Sequence, residues 1–142
     1  MKKIFLIAGL VFMAFQLSAQ DSWKLKQAGK VLLSANAENE TANTTKIKRT
    51  AFDKSGTLDI LYKDSKPAAE WKRTLLFFDE NDNELLRKDS ITATTKINNS
   101  TLKELFTGKK KIRIYTISLP TDPNKAAAIR VRRVHLCTLE LL

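Results

Sequence analysis

The sequence predicts an all-β fold: a single immunoglobulin-like β-sandwich of about seven to eight strands with one short helical connection, preceded by a signal peptide. Two observations favour the sandwich. Short stretches rich in β-branched residues alternate apolar and polar side chains, and turn-forming residues separate them about every eight to twelve positions. Only one stretch carries a convincing helix signal, and a chain of roughly 120 residues suffices for one core and one domain.

A secretory signal peptide accounts for residues 1–19. Lys2 and Lys3 precede an apolar run over residues 4–15, and the small residue Ala19 offers a cleavage point before Gln20. The run is about twelve residues long, whereas a helix that crosses a membrane needs roughly 20. We therefore expect an exported β-sandwich domain over residues 20–142, periplasmic or extracellular, with no transmembrane span once the signal is removed.

The first third of this domain reads as an extended edge segment followed by a hairpin. The segment WKLKQAGKVLLSA keeps a period of two across Gly29, and the polar residues 36–45 are expected to join it to the next strand. In KIKRTAFDKSGTLDILY, Asp53 opens a turn and Gly56 takes its left-handed position. This pattern predicts two strands paired around residues 53–56.

A second hairpin is predicted in EWKRTLLFFDENDNELLR, which turns at the acidic residues 79–83. Trp71, Leu75 and Phe77 share one side of its first strand.

Next come one strand and the one helix. Residues 90–97 alternate as a strand does. Thr101 and Glu104 have the spacing of a capping box, and Gly108 is placed to end a helix of one or two turns.

The last third predicts one long hairpin around residues 120–124, because two prolines there stop strand pairing. A register that pairs Leu119 with Ala126 puts aliphatic side chains on one face. A β-bulge at Arg132 and Arg133 would keep the aliphatic residues before and after it on that face.

The same register gathers a basic strip on the opposite face, proposed to bind an anion or a partner: Lys111, Arg113, Tyr115, Arg130 and Arg132. Like charges across a strand ladder destabilise it by up to about 1 kcal/mol, so acidic groups are expected nearby. One source is this chain itself, for instance Glu84, Asp59 or Glu140. The other is an anionic ligand, with Tyr115 as an aromatic surface.

The net charge indicates the sign of a partner. The formal charge is +10, and loss of Lys2 and Lys3 leaves +8. Outside the cytoplasmic membrane an anionic glycan, a lipid head group or an acidic protein is attracted by the same long-range field, and nucleic acid is not expected.

Catalysis and metal binding find little support in the sequence. His135 and Cys137 are the only histidine and cysteine. Two residues apart on a strand, their side chains would lie roughly 7 Å apart, too far for a direct hydrogen bond of about 3 Å between nucleophile and base. The loop at Asp79 spaces oxygen atoms as a calcium loop does, but Glu84 stands where an EF-hand needs glycine, which leaves only a weak calcium site open. The sequence names no catalytic residue, no metal ligand and no cofactor.

We therefore expect an exported, non-enzymatic binding or interaction module of the cell envelope that acts through the basic strip. Two alternatives stay open. A structural or accessory envelope protein would assemble through an exposed sheet edge, such as the apolar residues 139–142. An enzyme would need a concave pocket with convergent polar groups.

Overall fold

The computed structural model describes residues 20–89 and 91–142, where the chain forms nine strands and three short helices. In chain order the strands are β1 (Ser22–Gln27), β2 (Lys30–Ala35), β3 (Thr44–Ile47), β4 (Thr57–Lys63), β5 (Trp71–Phe78), β6 (Glu84–Lys88), β7 (Thr94–Asn98), β8 (Lys111–Pro120) and β9 (Val134–Leu141). The helices are a 3-10 turn (Arg49–Asp53), α1 (Asn99–Leu105) and α2 (Pro123–Ala128). The predicted signal peptide lies outside the described residues.

The strands form two sheets. Sheet A has the order β2-β1-β4-β7, and sheet B has the order β3-β9-β8-β5-β6. Neighbouring strands run antiparallel except for β3 and β9, which are parallel. The protein is thus mostly β, with two sheets and few helices, consistent with the predicted all-β sandwich.

One core lies between the sheets. Every second residue of a strand points inward, so Leu58, Ile60 and Tyr62 of β4 are buried while the residues between them are not. Side chains from both sheets and from α1 form the fully buried centre of this core: Leu25, Leu58, Ile60, Leu75, Phe77, Ile97, Leu102, Phe106, Ile112, Ile114, Leu136 and Leu139.

The amino-terminal segment is a tight hairpin and not one extended edge. Gln27 pairs with Lys30, and the two residues between them, Ala28 and Gly29, have φ values of 49° and 80°. Such positive angles match the twist of two-residue hairpin turns, which explains the glycine. Most of the polar stretch at residues 36–45 then joins β2 to β3.

The hairpin predicted around residues 53–56 is wrong. The strand before this turn, β3, belongs to sheet B and pairs with β9, whereas β4 belongs to sheet A. The 3-10 turn between them buries Phe52 against Phe106, with ring centroids 5.6 Å apart. Burial of this aromatic pair outweighs the local turn signal.

The second hairpin is confirmed, and the helix only in part. β5 and β6 pair around the acidic turn, and the φ of 71° at Gly108 follows the end of α1. The capping box is wrong, because α1 begins at Asn99 and Thr101 lies inside it. Asn99 instead anchors the helix: its Nδ2 donates to the carbonyls of Ala51 and Lys54 at 3.0 and 2.8 Å.

The long hairpin predicted for the last third forms only at its open end, where β8 pairs with β9, and the prediction is wrong for the residues nearer the turn. Asp122 caps α2 by accepting from the Asn124 backbone, with Pro123 at the helix start, so Ala126 is helical and does not pair with Leu119. Strand pairing begins only at Val134, opposite Thr116.

The bulge of β9 lies at Leu136 instead of Arg132 and Arg133. Ile114 pairs with Cys137 and Tyr115 with His135, which leaves Leu136 as the extra residue and puts it in the core together with Cys137. Residues 139–142 are not a free edge, because β3 flanks β9 there.

Candidate functional site

The residues of the predicted basic strip do not form one continuous surface. Lys111 and Arg113 lie on the outer face of β8, opposite Glu140 and Thr138 of β9. Arg130 and Arg132 are exposed in the segment between α2 and β9, outside both sheets, so the predicted pairing of arginine against arginine does not occur.

The aromatic member of the strip is packed and not presented to solvent. Tyr115 is 7% exposed and meets Phe78 and His135 edge to face, with ring centroids 5.6 and 5.5 Å away. The Arg133 guanidinium covers the same cluster, 4.7 Å from the Phe78 ring and 4.9 Å from the Tyr115 ring.

Acidic groups of this chain pair with two of the four cations of the strip. Lys111 pairs with Glu140 at 3.2 Å, which is one of the carboxylates that the sequence suggested. Arg132 pairs with Glu38, and Arg113 donates to the Glu80 carbonyl at 2.9 Å. Burial opposes ionisation of Glu38, but hydrogen bonds from Arg132 and from the His135 backbone lower its pKa. Of the four cations of the strip, only Arg130 forms neither an ion pair nor a side-chain hydrogen bond to any group of the described residues.

Among the described residues, the cations that form no ion pair include a group on the other side of the molecule, on the outer face of sheet A. We call this surface the lysine face and define it by Lys24, Lys26, Lys63 and Lys96. Within the described chain none of these four ammonium groups lies within 4.0 Å of a carboxylate. Lys26 is half-buried and the other three are exposed.

Strand register fixes the positions of these lysines. Inward residues such as Trp23 and Leu25 occupy alternate positions of β1, which forces Lys24 and Lys26 outward. Across the sheet, Asp59 stands between Lys26 and Lys96 as the one acidic residue of the face, and it accepts a hydrogen bond from Thr57. The lysine face therefore carries a net positive charge.

A shallow depression of ≈370 Å³ lies at one end of this surface. Its lining includes Lys24, Leu61, Lys63 and Thr94. Aliphatic and hydroxyl groups thus lie between the cations, and the surface can contact both the polar and the apolar parts of a ligand.

A buried ionic cluster that the sequence does not predict lies beside this face. Arg73 is 7% exposed, and its Nε donates to Asp64 at 2.7 Å while its Nη2 lies 3.5 Å from Asp21. Its guanidinium also stacks on Tyr62 at 4.2 Å, and the Tyr62 hydroxyl donates to Asp21 at 2.7 Å. A signal was present, because Arg73 occupies an inward position between Trp71 and Leu75.

The pKa values of the cluster follow from this geometry. Burial, reinforced by the bond to Asp21, raises the pKa of Tyr62. Burial also opposes ionisation of Asp21, yet hydrogen bonds from Ser65 and Tyr62, with Arg73 nearby, lower its pKa overall. Asp21 is therefore ionised at neutral pH beside the Arg73 guanidinium.

His135 and Cys137 lie on different sides of sheet B. Cys137 is fully buried in the core, and burial raises the pKa of its thiol to about 12, so the thiol is neutral and a poor nucleophile. His135 lies outside the core, 3% exposed, with its Nε2 2.9 Å from the Thr138 hydroxyl. The two side chains do not form a nucleophile and base pair.

The acidic turn after β5 uses its first carboxylate internally. Asp79 accepts from the backbone of Asn81 and Asn83, both at 2.9 Å, and from the Asn83 amide at 3.0 Å. These bonds from Asn83, aided by Asn81, lower the Asp79 pKa. In residues 20–89 and 91–142, no three His, Cys, Asp or Glu side chains gather in a way that could hold a metal ion.

Over the same ranges, no helix is long and apolar enough to span a bilayer. In comparisons with known proteins, no protein-family model and no curated protein matches the chain.

Proposed function

We propose that the protein is an exported, non-enzymatic binding module of the cell envelope, and that the lysine face is the surface it turns toward an anionic glycan, lipid head group or acidic protein. The observation that carries this proposal is the grouping of Lys24, Lys26, Lys63 and Lys96 on one sheet face, where no carboxylate of the described chain lies within 4.0 Å of their ammonium groups. Ammonium groups free of internal ion pairs keep their full attraction for an external anion.

Among the three partners, an anionic glycan fits the surface best. Hydroxyl side chains accompany the lysines: Ser34 lies opposite Lys24 and Thr94 lies opposite Leu61. A lipid surface would reward apolar side chains that enter the bilayer, because that binding grows with the apolar area buried. The face offers little such area beyond Leu61 and Val31.

The test compares two variants that remove equal charge. One replaces the lysine face (Lys24→Gln, Lys26→Gln, Lys63→Gln and Lys96→Gln), and the other replaces the predicted strip (Lys111→Gln, Arg113→Gln, Arg130→Gln and Arg132→Gln). Each is eluted by salt from immobilised heparin. The lysine-face variant is expected to elute earlier, with an affinity at low salt reduced about tenfold or more, since each exposed ion pair contributes roughly 0.2–1 kcal/mol.

Equal losses in the two variants would mean that net charge alone drives binding, and a larger loss in the strip variant would move the site to sheet B. Two further probes replace heparin to separate the three partner classes. Vesicles rich in phosphatidylglycerol represent a lipid surface, and poly-glutamate represents an acidic protein. Tighter binding to either of them than to heparin would contradict the preference for a glycan.

The proposal includes the type of sandwich and the route of export. An immunoglobulin-like arrangement is supported by the way successive strands change sheet: the chain crosses from β4 to β5 and again from β7 to β8. Export is supported by the signal-peptide pattern of residues 1–19. The protein used for the elution tests is therefore taken from the exported fraction, where its first residue is expected to be Gln20.

A further inference from the structure

A second concave feature adjoins the lysine face at the end of the sandwich where β4 stops and β5 starts. It is a cleft of ≈410 Å³ between the β4–β5 connection and residues 91–93, which lead into β7. This cleft and the depression of the lysine face share three lining residues, Tyr62, Lys63 and Ala93, so the two are continuous. We call it the Trp71 cleft.

The ionic cluster gives the cleft a fixed polar side. Arg73 and Asp64 are joined by the 2.7 Å hydrogen bond described above, and Tyr62 is held between Arg73 and Asp21. Asp64 is 27% exposed at this site, so it has oxygen lone pairs left for an outside donor. Groups fixed in this way can accept hydrogen bonds from a ligand without being reorganised.

The rest of the cleft lining is aromatic and aliphatic. Trp71 is half-buried, and Ala68, Ile91 and Ala93 complete this wall. A flat, partly exposed indole beside small aliphatic groups suits the apolar face of a ring, in the way that most ligand sites combine aromatic walls with a few placed polar groups.

Two cations stand at the mouth. The Lys66 ammonium lies 4.0 Å from the centre of the Trp71 ring, which holds it in place by a cation–π contact, and Lys63 belongs to the lysine face. Neither lysine lies within 4.0 Å of a carboxylate among the described residues. A ligand ring packed against Trp71 would bring its anionic substituent close to the ammonium groups of both Lys63 and Lys66.

A pyranose ring with an acidic substituent matches all three features. Its C–H face is apolar, its hydroxyl groups donate hydrogen bonds, and its carboxylate or sulfate is anionic. A phosphate ester without a ring would use the lysines and leave the aromatic wall empty. A neutral sugar would use the wall and leave the lysines unpaired.

We infer that the Trp71 cleft binds one anionic pyranose unit of the glycan that the lysine face holds, an inference that rests on the proposed function. In this arrangement the lysine face supplies long-range attraction along the chain of the glycan, and the cleft selects for a ring. The glycan class is then an acidic polysaccharide of uronic or sulfated sugars.

Tryptophan fluorescence of the wild-type protein tests this directly. The chain has two tryptophans, and Trp23 is 3% exposed in the core, so quenching by acrylamide reports on Trp71. Trigalacturonate is expected to give a saturable change in emission and to protect the indole from acrylamide. Maltotriose supplies rings without charge and tripolyphosphate supplies charge without rings, and neither should saturate over the same concentrations.

Substitutions in the cleft test its part in binding, and calorimetry measures the affinity for trigalacturonate. Lys66→Gln and Trp71→Ala are each expected to weaken trigalacturonate binding about threefold to tenfold, while Lys54→Gln, at an exposed lysine that lines a different depression, should leave it unchanged. Lys66 is exposed and outside the core, so its replacement does not threaten folding.

Two results would overturn the inference and leave the proposed function standing: trigalacturonate binding that is insensitive to Lys66→Gln with unchanged tryptophan emission, or an equal response to tripolyphosphate. Absence of trigalacturonate binding would also overturn it. The heparin experiment then shows separately whether the lysine face binds anions at all.

Discussion

Arg73 illustrates what a single residue contributes to this fold and why it escapes prediction. It follows the alternation that buries Leu75 and Phe77, so its parity alone points inward. Whether a guanidinium can be tolerated there depends on acceptors brought from elsewhere: Asp64 lies nine positions away across the β4–β5 connection, and Asp21 is distant in sequence. A pattern can therefore flag the position but cannot supply its partners.

His135 gives a prediction at the same scale. Its Nδ1 is buried without a hydrogen-bond partner in the described chain, and Tyr115, Thr138, Glu38, Glu40 and Arg113 surround it. Burial lowers its pKa below 6.5, although Glu40 and Glu38 act in the other direction. The unfolded state then binds the proton first as the pH falls.

Stability from a neutral His135 is accordingly complete above the unfolded pKa and is lost as the pH falls below about 6.5 toward the folded value. We expect the urea midpoint to drop between pH 7 and pH 5, and His135→Gln to remove most of that drop. Lys54→Gln serves as a control. A midpoint that falls equally in wild type and His135→Gln would refute this role.

At the scale of elements, the pairing of β9 with β8 stops at Val134, although β8 continues. β8 continues for four residues, from Ile117 to Pro120, after its last pair with β9. If the same register went on, Arg132 would lie opposite Ser118, which is paired on its other side with Arg73. A second guanidinium would then face inward beside a buried one, and the chain leaves the sheet instead.

This explanation predicts that Arg130→Thr combined with Arg132→Thr lengthens the hairpin. Threonine favours strands and carries no charge, so β9 could extend along residues 117–119. Hydrogen exchange of the amides in residues 117–119 and 130–133 should slow by about tenfold or more, the result expected if roughly 1–2 kcal/mol of local pairing is gained. Unchanged exchange would show that another constraint, such as α2, ends the strand.

The elements also show where local reasoning succeeds. The β5–β6 hairpin was predictable, and so was the end of α1 shortly before Gly108. Residues adjacent in sequence determine both features. The partner of β3 was not, since it pairs with β9 across most of the chain. Asp53 and Gly56 resemble a hairpin turn, but burial of Phe52 decided the outcome.

At the scale of the whole molecule, the sequence predicts the net charge but not its distribution. Arginines that look free in the sequence find Glu38 and Asp82 through tertiary contacts. The lysines of sheet A are separated by up to 72 positions and become neighbours only through the order β1-β4-β7. The lysine face was therefore not predictable, whereas a cationic two-sheet domain was.

The most direct test of the lysine face as a binding surface is residue-specific acetylation in the presence and absence of heparin, read by mass spectrometry. Our account predicts that heparin slows acetylation of Lys24, Lys63 and Lys96 about fivefold or more, a change equivalent to roughly 1 kcal/mol. Lys46 and Lys125, which are exposed elsewhere, should react at the same rate with and without heparin. Equal protection of all five lysines, or protection confined to Lys46 and Lys125, would contradict it.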